Sequence, residues 1–382
     1  MTISVRPAAN LRAPHLLVAI SSHGFGHLTQ IAPVVNQLRR LIPDLRLTIR
    51  AKFPEDQIRK RILNPDALQY AADDFGMIMR DALTLDIPAS LNAYQKFHAD
   101  MSAKVEHLAQ DLIDQKVDVV LSDIPYLTLA AAQKAGIPSI ALCSLNWADI
   151  LEFSLNQLQP SDPSGLSIVN EIREIYQKAD HFLMPAPSMA MPLLNNTLSI
   201  GPVCDPGVNQ RNSLNKSKND LLVLVGMGGM PFELNPDNWP AHMMGKPVHY
   251  IVADHIASRS SHPQLIAESQ TNLTYADLVA SADLIITKPG YGMFAEAAAA
   301  GVPLLYVERL NWPEADALTS WLQSVAHCTE ISTDVLHRGD FAQEMRQLLQ
   351  RGRYAPVPPT GNLQAATLLA QYLRSTEQAC RE

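Results

Sequence analysis

Two short stretches of this chain set glycines beside residues that move protons or hold charge. Ser21-Ser22-His23-Gly24-Phe25-Gly26-His27 follows an apolar run and precedes apolar residues at helical spacing, which makes it a strand-to-helix turn. Gly24 and Gly26, on either side of Phe25, let backbone approach a ligand closely. The amides of the helix that follows favour an anion or a developing negative charge. His27 sits at that helix start, where the dipole disfavours imidazolium; an imidazole neutral near pH 7 is a competent general base. His23 reads as a structural residue of the same turn. The two histidines do not read as a metal pair, because no glutamate completes an HExxH pattern and no third ligand is apparent. Asp123 ends another apolar run, 118–122, and could accept the second ring N–H of His27, fixing its tautomer. The competing role for Asp123 is a cap on the helix that begins near Pro125.

The second stretch is Thr287-Lys288-Pro289-Gly290-Tyr291-Gly292, followed by Glu296. Amides around Gly290, Tyr291 and Gly292 suit a pyrophosphate, with Lys288 as a point charge. Glu296, placed in the first turn of the helix, can accept two hydroxyls of a ribose; its alternative there is to complement the helix dipole. Gly226-Met227-Gly228-Gly229 closes the run 221–225 and offers a further close approach of backbone. Gly24-x-Gly26-x-x-Thr29 also comes near a dinucleotide fingerprint, and Arg50 and Lys52 end the second strand where a 2′-phosphate would sit, which raises an NADP reading.

These residues need strand ends to carry them, and a repeat supplies the pattern. Residues 117–142 and 282–307 are loose copies, identical at Asp118/Asp283, Tyr126/Tyr291, Gly136/Gly301 and Pro138/Pro303. Each reads as a buried strand, a turn, an Ala-rich helix, a glycine stop and another buried strand, the pattern of a parallel sheet with crossover helices. Asp123 and Ala131 of the first copy become Lys288 and Glu296 in the second. Further elements are expected as strands over 15–21, 45–51, 182–184 and 198–201 and helices over 28–41, 91–115 and 362–376. The expected architecture is α/β, with two Rossmann-like domains facing each other across a cleft. Residues 1–204 form the first, 205–220 a polar linker and 221–360 the second, and a helix within 361–382 returns to the first. In such sheets ligands bind beyond the carboxyl ends of the strands.

A length of 382 residues suits two domains, and 47% apolar against 18% charged residues describe a soluble globular chain. The net charge of −8 argues against a nucleic-acid surface. No run approaches the ~18 uncharged apolar residues of a spanning helix, and the first residues carry no apolar secretory segment. Cys143, Cys204, Cys328 and Cys380 are widely spaced, as expected of reduced thiols in a cytoplasmic protein. Peripheral membrane contact is compatible with all of this.

The segment ITKPGYGMFAEAAAAGVPLL, residues 285–304, resembles the donor-site signature of two-domain (GT-B) glycosyltransferases. It is most similar to the peptidoglycan N-acetylglucosaminyltransferase and diacylglycerol glycosyltransferase groups. The HGFGH loop and the strand ending at Asp123 look like the acceptor half of the same superfamily. Residues 23–149 resemble still more closely the glycosyltransferase-like N-terminal region of plant-type L-arabinokinases. The resemblance implies transfer of a sugar, with inversion and without a metal or resident cofactor, from a nucleotide-sugar, most simply UDP-linked, to an unidentified acceptor hydroxyl. His27 would be the base and Asp123 its partner. Glu296 would hold the ribose, Lys288 and the 290–292 amides the diphosphate, and Leu273 or Thr274 the base. Where many relatives carry an Asp-Gln or Gln-Gln pair for the donor sugar, this chain reads Arg309-Leu310-Asn311-Trp312-Pro313-Glu314-Ala315-Asp316, so Glu314 and Asp316 are the acids available. The kinase domain of the arabinokinases has no counterpart here, so kinase activity is not implied. A nucleotide-sugar epimerase, a nucleotide-sugar-binding protein without catalysis and an NADP oxidoreductase are the alternatives.

Overall fold

The computed structural model describes residues 12–158, 163–214, 217, 219–229 and 232–379. The first half contributes β1 (His15–Ile20), β2 (Arg46–Arg50), β3 (Ala67–Gln69), β4 (Val119–Asp123), β5 (Ser139–Leu142), β6 (His181–Pro185) and β7 (Thr197–Ile200). They pair in parallel in the order β3-β2-β1-β4-β5-β6-β7. The second half contributes β8 (Leu221–Gly226), β9 (His242–Met243), β10 (Lys246–Val252), β11 (Leu265–Ala267), β12 (Leu284–Thr287), β13 (Leu304–Val307) and β14 (Cys328–Ile331). Its parallel order is β11-β10-β8-β12-β13-β14, with β9 antiparallel to β10. β1, β4, β8 and β12 are buried along their length, as unbroken apolar runs covered on both faces must be.

Chain order reverses between β1 and β4 in one sheet and between β8 and β12 in the other. These are the points where a parallel sheet opens a crevice. Ile20 pairs with Asp123 at the first and Thr287 with Gly226 at the second. The two chemistry-bearing stretches therefore leave their sheets at the two crevices. The helix Gly361–Ala379 runs back onto the first half, packing on the helix Phe25–Leu41, β4 and β7. Its Ala365, Ala366, Leu369 and Leu373 are fully buried in a core that also holds Leu16 and Leu28 from the first half and Phe294 from the second. Each buried leucine contributes roughly 1.5–3 kcal/mol.

One expected element differs. Residues 91–115 are not a single helix but two, Ile87–His98 and Met101–Asp114. The chain leaves helical geometry at Asp100, and Asp86 caps the first of the two by accepting from the Ala89 amide at 3.1 Å. Both pieces are amphipathic, so the apolar period carries on across the break. Cys143 and Cys204 are buried free thiols and Cys328 a partly buried one; Cys380 lies outside the described residues. Among the described residues no helix is long and apolar enough to cross a membrane.

The two repeat copies end their helices alike, with Gly136 and Gly301 in the left-handed region at φ 69° and 67°. A side chain at Gly136 would meet open space, whereas one at Gly301 would lie 2.4 Å from the Tyr354 carbonyl oxygen. Gly136→Ala is expected to cost only the conformational term, ~1 kcal/mol, and Gly301→Ala at least ~2 kcal/mol more. Urea midpoints measured at unchanged slope test the order; equal losses would contradict it.

Candidate active site

A cleft of about 490 Å³ lies between the halves, lined from one side by His23 to His27 and from the other by Gly226 to Gly229, Lys288, Gly290 to Gly292 and Glu296. The helices Phe25–Leu41 and Tyr291–Ala300 both start at it, each behind a glycine N-cap with no capping side chain. Their first amides are left for a ligand. Space beside Gly24 and Gly26 is open, and a side chain at Gly290 would meet the Lys288 carbonyl oxygen at an ordinary 3.9 Å. Gly229 and Gly292 owe their identity to packing between the halves. A side chain at Gly229 would meet the Phe25 ring at 2.6 Å, and one at Gly292 would press on Thr29 at 3.0 Å. Gly228 adopts φ +82° beside the Lys288 stem.

On the first side, His27 Nδ1 lies 2.9 Å from Asp123 Oδ1, and both residues are buried. Asp123 caps nothing, since the helix after it, Tyr126–Ala135, starts behind Pro125 with no side-chain cap. The bond assigns the ring proton to Nδ1 and leaves Nε2 as the basic nitrogen. The pKa of His27 shifts in the direction opposite to that of the helix dipole. Burial by itself lowers its pKa, but Asp123, with Asp74 and Glu314 behind it, outweighs burial and raises it above 6.5. Asp74 is held by Ser21 Oγ at 2.9 Å and Trp147 Nε1 at 2.7 Å. Burial pushes its carboxyl up to about 6, against the pull of His27. His23 is driven down to about 3 by burial and by the neighbouring His27, Arg309 and Lys288. It is an uncharged plate, edge-on to Trp147 and parallel to Trp312 of the other half at a centroid distance of 5.8 Å.

On the second side, Lys288 is pushed down to about 7 by burial and by Arg309, with Glu314 opposing. Burial lowers Arg309 to about 10; its guanidinium lies 4.1 Å from the Trp312 ring centroid. Two crowded cations on one wall are poised for an anion that would restore both. Glu296 is 2% exposed, and its Oε1 has no hydrogen-bond partner among the described residues. Burial raises its carboxyl to about 7, with Arg61 opposing. It does not stand in the first helical turn, as expected from sequence, but at the sixth residue of the helix Tyr291–Ala300. It therefore complements no dipole, and it shares a face with Gly292, four residues before it.

Other residues singled out from sequence are placed as follows. The Tyr291 hydroxyl donates to the Ala186 carbonyl and accepts from the Val203 amide, tying the helix start to the first half. Thr274 caps the helix Tyr275–Ser281 and Leu273 packs beside the core; neither lines the cleft. Glu314 lines it, but both its oxygens are taken, by Ser144 Oγ at 2.6 Å and Trp312 Nε1 at 3.0 Å. Arg50 is held by Asp73 at 2.6 and 2.9 Å, away from the role the NADP reading would give it. Of the acids in the stretch 71–104, whose sequence suits a solvated face as well as a border of the acceptor space, Asp73 and Asp74 are buried. Asp81 accepts from the Leu83 and Thr84 amides, and Met79 and Ala82 of the same hairpin border the cleft. Among the described residues, the three side chains grouped as metal ligands could be are His27, Asp123 and Cys143. Cys143 Sγ lies 3.8 Å from the same His27 Nδ1 that Asp123 holds.

This is the two-domain GT-B architecture. The kitacinnamycin glycotransferase matches it with a TM-score of 0.62 and 16% identity, covering 94% of this chain and 99% of the other. The calicheamicin glycosyltransferase CalG4 matches with a TM-score of 0.60 and 16% identity, covering 96% of each chain. Arabidopsis thaliana UGT89C1 complexed with UDP matches with a TM-score of 0.58 and 13% identity, covering 94% of this chain and 99% of that one. In sequence, the chain is 26% identical over 342 residues to the L-arabinokinase of Arabidopsis thaliana, covering 85% of this chain. It spans 31% of the length of that curated relative. No protein-family model matches the chain.

Proposed function

We propose that this protein is an inverting glycosyltransferase that needs no divalent metal and moves a sugar from a UDP-linked donor to an acceptor hydroxyl. The observation that carries the reading is the opposition of two unlike walls in one cleft. The buried His27–Asp123 pair stands on one, and Lys288, Arg309 and Glu296, whose Oε1 accepts no hydrogen bond among the described residues, stand on the other. A solved structure of the same fold, with UDP bound, supports the choice of nucleotide.

In the reaction, the acceptor oxygen attacks the anomeric carbon as the bond from that carbon to the β-phosphate oxygen breaks. The hydroxyl proton passes to His27 Nε2, and Asp123 stabilises the resulting imidazolium. The departing diphosphate gains charge, which Lys288, Arg309 and the free amides of the helix Tyr291–Ala300 neutralise from fixed positions. Such a set of cations and dipoles does the work a divalent ion does elsewhere. Glu296 accepts the ribose hydroxyls, which give its Oε1 the partners it lacks.

Glu296→Ala is expected to weaken UDP binding by about a hundredfold or more, the loss of two hydrogen bonds to a charged group at ~1.5–3 kcal/mol each. Calorimetric titration of both proteins measures it, and an unchanged affinity would remove Glu296 from the donor site.

A further inference from the structure

The nucleotide carboxylate has a cation beside it that comes from the opposite half. Arg61 ends the helix Glu55–Arg61, and its Nη1 lies 3.5 Å from Glu296 Oε1. That separation is an ion-pair contact and too long for a strong hydrogen bond, in keeping with the unpartnered state of Oε1. Arg61 also acts on Glu268, which lines the same cleft. The guanidinium therefore faces two carboxylates across the cleft and holds neither tightly.

Its backbone, by contrast, is fixed. Asn36 Nδ2 donates to the Arg61 carbonyl at 2.8 Å, and the Leu63 amide donates to Asn36 Oδ1 at 2.9 Å. Arg39 bonds the Leu63 carbonyl from the same side. Asn36 and Arg39 belong to the helix Phe25–Leu41, which carries His27 at its other end. Whatever sets the position of His27 over the donor thus sets that of Arg61 as well.

We propose that Arg61 completes the donor site from the acceptor half, as the cation for a nucleotide phosphate. This rests on Glu296 being the ribose carboxylate. When ribose hydroxyls take Glu296, the Arg61 guanidinium loses that contact and turns to the adjacent phosphate, across from Lys288 and Arg309. A nucleotide with phosphates then bridges the two halves, and His27 comes into register with a bound donor rather than with an empty site. A nucleoside alone fills Glu296 and leaves Arg61 without an anion.

The test is the binding of UDP and uridine to the wild type, Arg61→Gln and Arg61→Lys, with uridine measured by displacement of UDP, at low ionic strength. Arg61→Gln is expected to weaken UDP about tenfold and leave uridine within twofold, and Arg61→Lys to recover most of the UDP affinity. An unchanged UDP affinity, or an equal loss for both ligands, overturns the proposal. Glu296→Ala separates the two ideas. If it weakens both ligands while Arg61→Gln weakens neither, Arg61 alone is wrong. If Glu296→Ala weakens neither ligand, the donor-site reading falls and takes the role of Arg61 with it.

Discussion

Replacing His27 by alanine is expected to cut the rate of sugar transfer by about 10²–10⁴, with UDP affinity kept within twofold. The two effects separate because His27 stands on the wall from the first half, while Lys288 and Glu296 stand on the other. The pH profile carries a further signature. Asp123, Asp74 and Glu314 raise the His27 pKa, so its protonated form persists above pH 6.5. Protonated His27 cannot take the acceptor proton, and kcat/KM therefore falls as pH drops through that raised value. Asp123→Asn removes the nearest raising charge, so the acid limb moves to lower pH while the maximum rate falls. Initial rates of the three proteins across pH 5.5–9, with UDP release as the readout, test this. A His27→Ala enzyme with wild-type turnover would end the role of His27 as base. An unmoved acid limb in Asp123→Asn would mean that another group sets the profile.

The reach of the amino-acid sequence is uneven, and the reason is sequence distance. The glycine turns after β1 and β12 and the αL stops at Gly136 and Gly301 are local features, written in adjacent residues, and the structure has them. The partnership of His27 with Asp123 was legible as chemistry and hidden as contact, because 96 residues separate them. It becomes visible once β1 and β4 are known to be neighbours at the sheet's point of reversal. The direction of the His27 shift lay further off. Its helix dipole is local and argues for a lowered pKa, whereas the carboxylates that raise it come from three separate segments. Asp74 gave no sign of its burial, since an Asp-Asp pair in a polar stretch looks solvated until Ser21 and Trp147 are found around it.

The same limit applies to contacts between the halves. Nothing in the spelling of the Glu55–Arg61 helix marks Arg61 apart from Arg59 and Lys60, which pair with Glu55 and Asp56 on their own helix. Arg61 differs only in facing Glu296. Glu314, read from sequence as an acid for the donor sugar, is in the cleft, with one oxygen held by Ser144 and the other by Trp312. The Ser144 bond joins the halves, so anything else Glu314 accepts is placed by how the halves meet. A donor sugar bound at this position would share Glu314 with a contact between the halves, a coupling that a motif of adjacent residues does not express.

Lys288→Met is expected to lower kcat by about 10²–10³, the scale on which one preorganised charge at a developing anion acts. It should also change a proton count that the other variants leave in place. In the empty cleft Lys288 is depressed to about 7, by burial and by Arg309. A bound diphosphate supplies the anion it lacks and returns its pKa toward the usual lysine range. At pH 8 the free enzyme is then mostly unprotonated at this site and the complex is protonated, so UDP binding takes up about one proton. Below pH 6 the lysine is charged in both states and that uptake disappears. Glu296 works in the opposite sense. Raised to about 7 when empty, it must be ionised to accept ribose hydroxyls, and it releases a proton on binding in that acid range. Calorimetry of UDP binding in buffers of different ionisation enthalpy reads both, as uptake near pH 8 giving way to release near pH 6. In Lys288→Met the uptake should vanish and the release remain. In Glu296→Gln the release should fall to the part that the terminal phosphate of UDP, itself titrating at about 6, gives up, and the uptake remain. Proton uptake at pH 8 that survives in Lys288→Met would show that a different group meets the diphosphate. Arg309, depressed only to about 10, is charged throughout this range and cannot supply that proton.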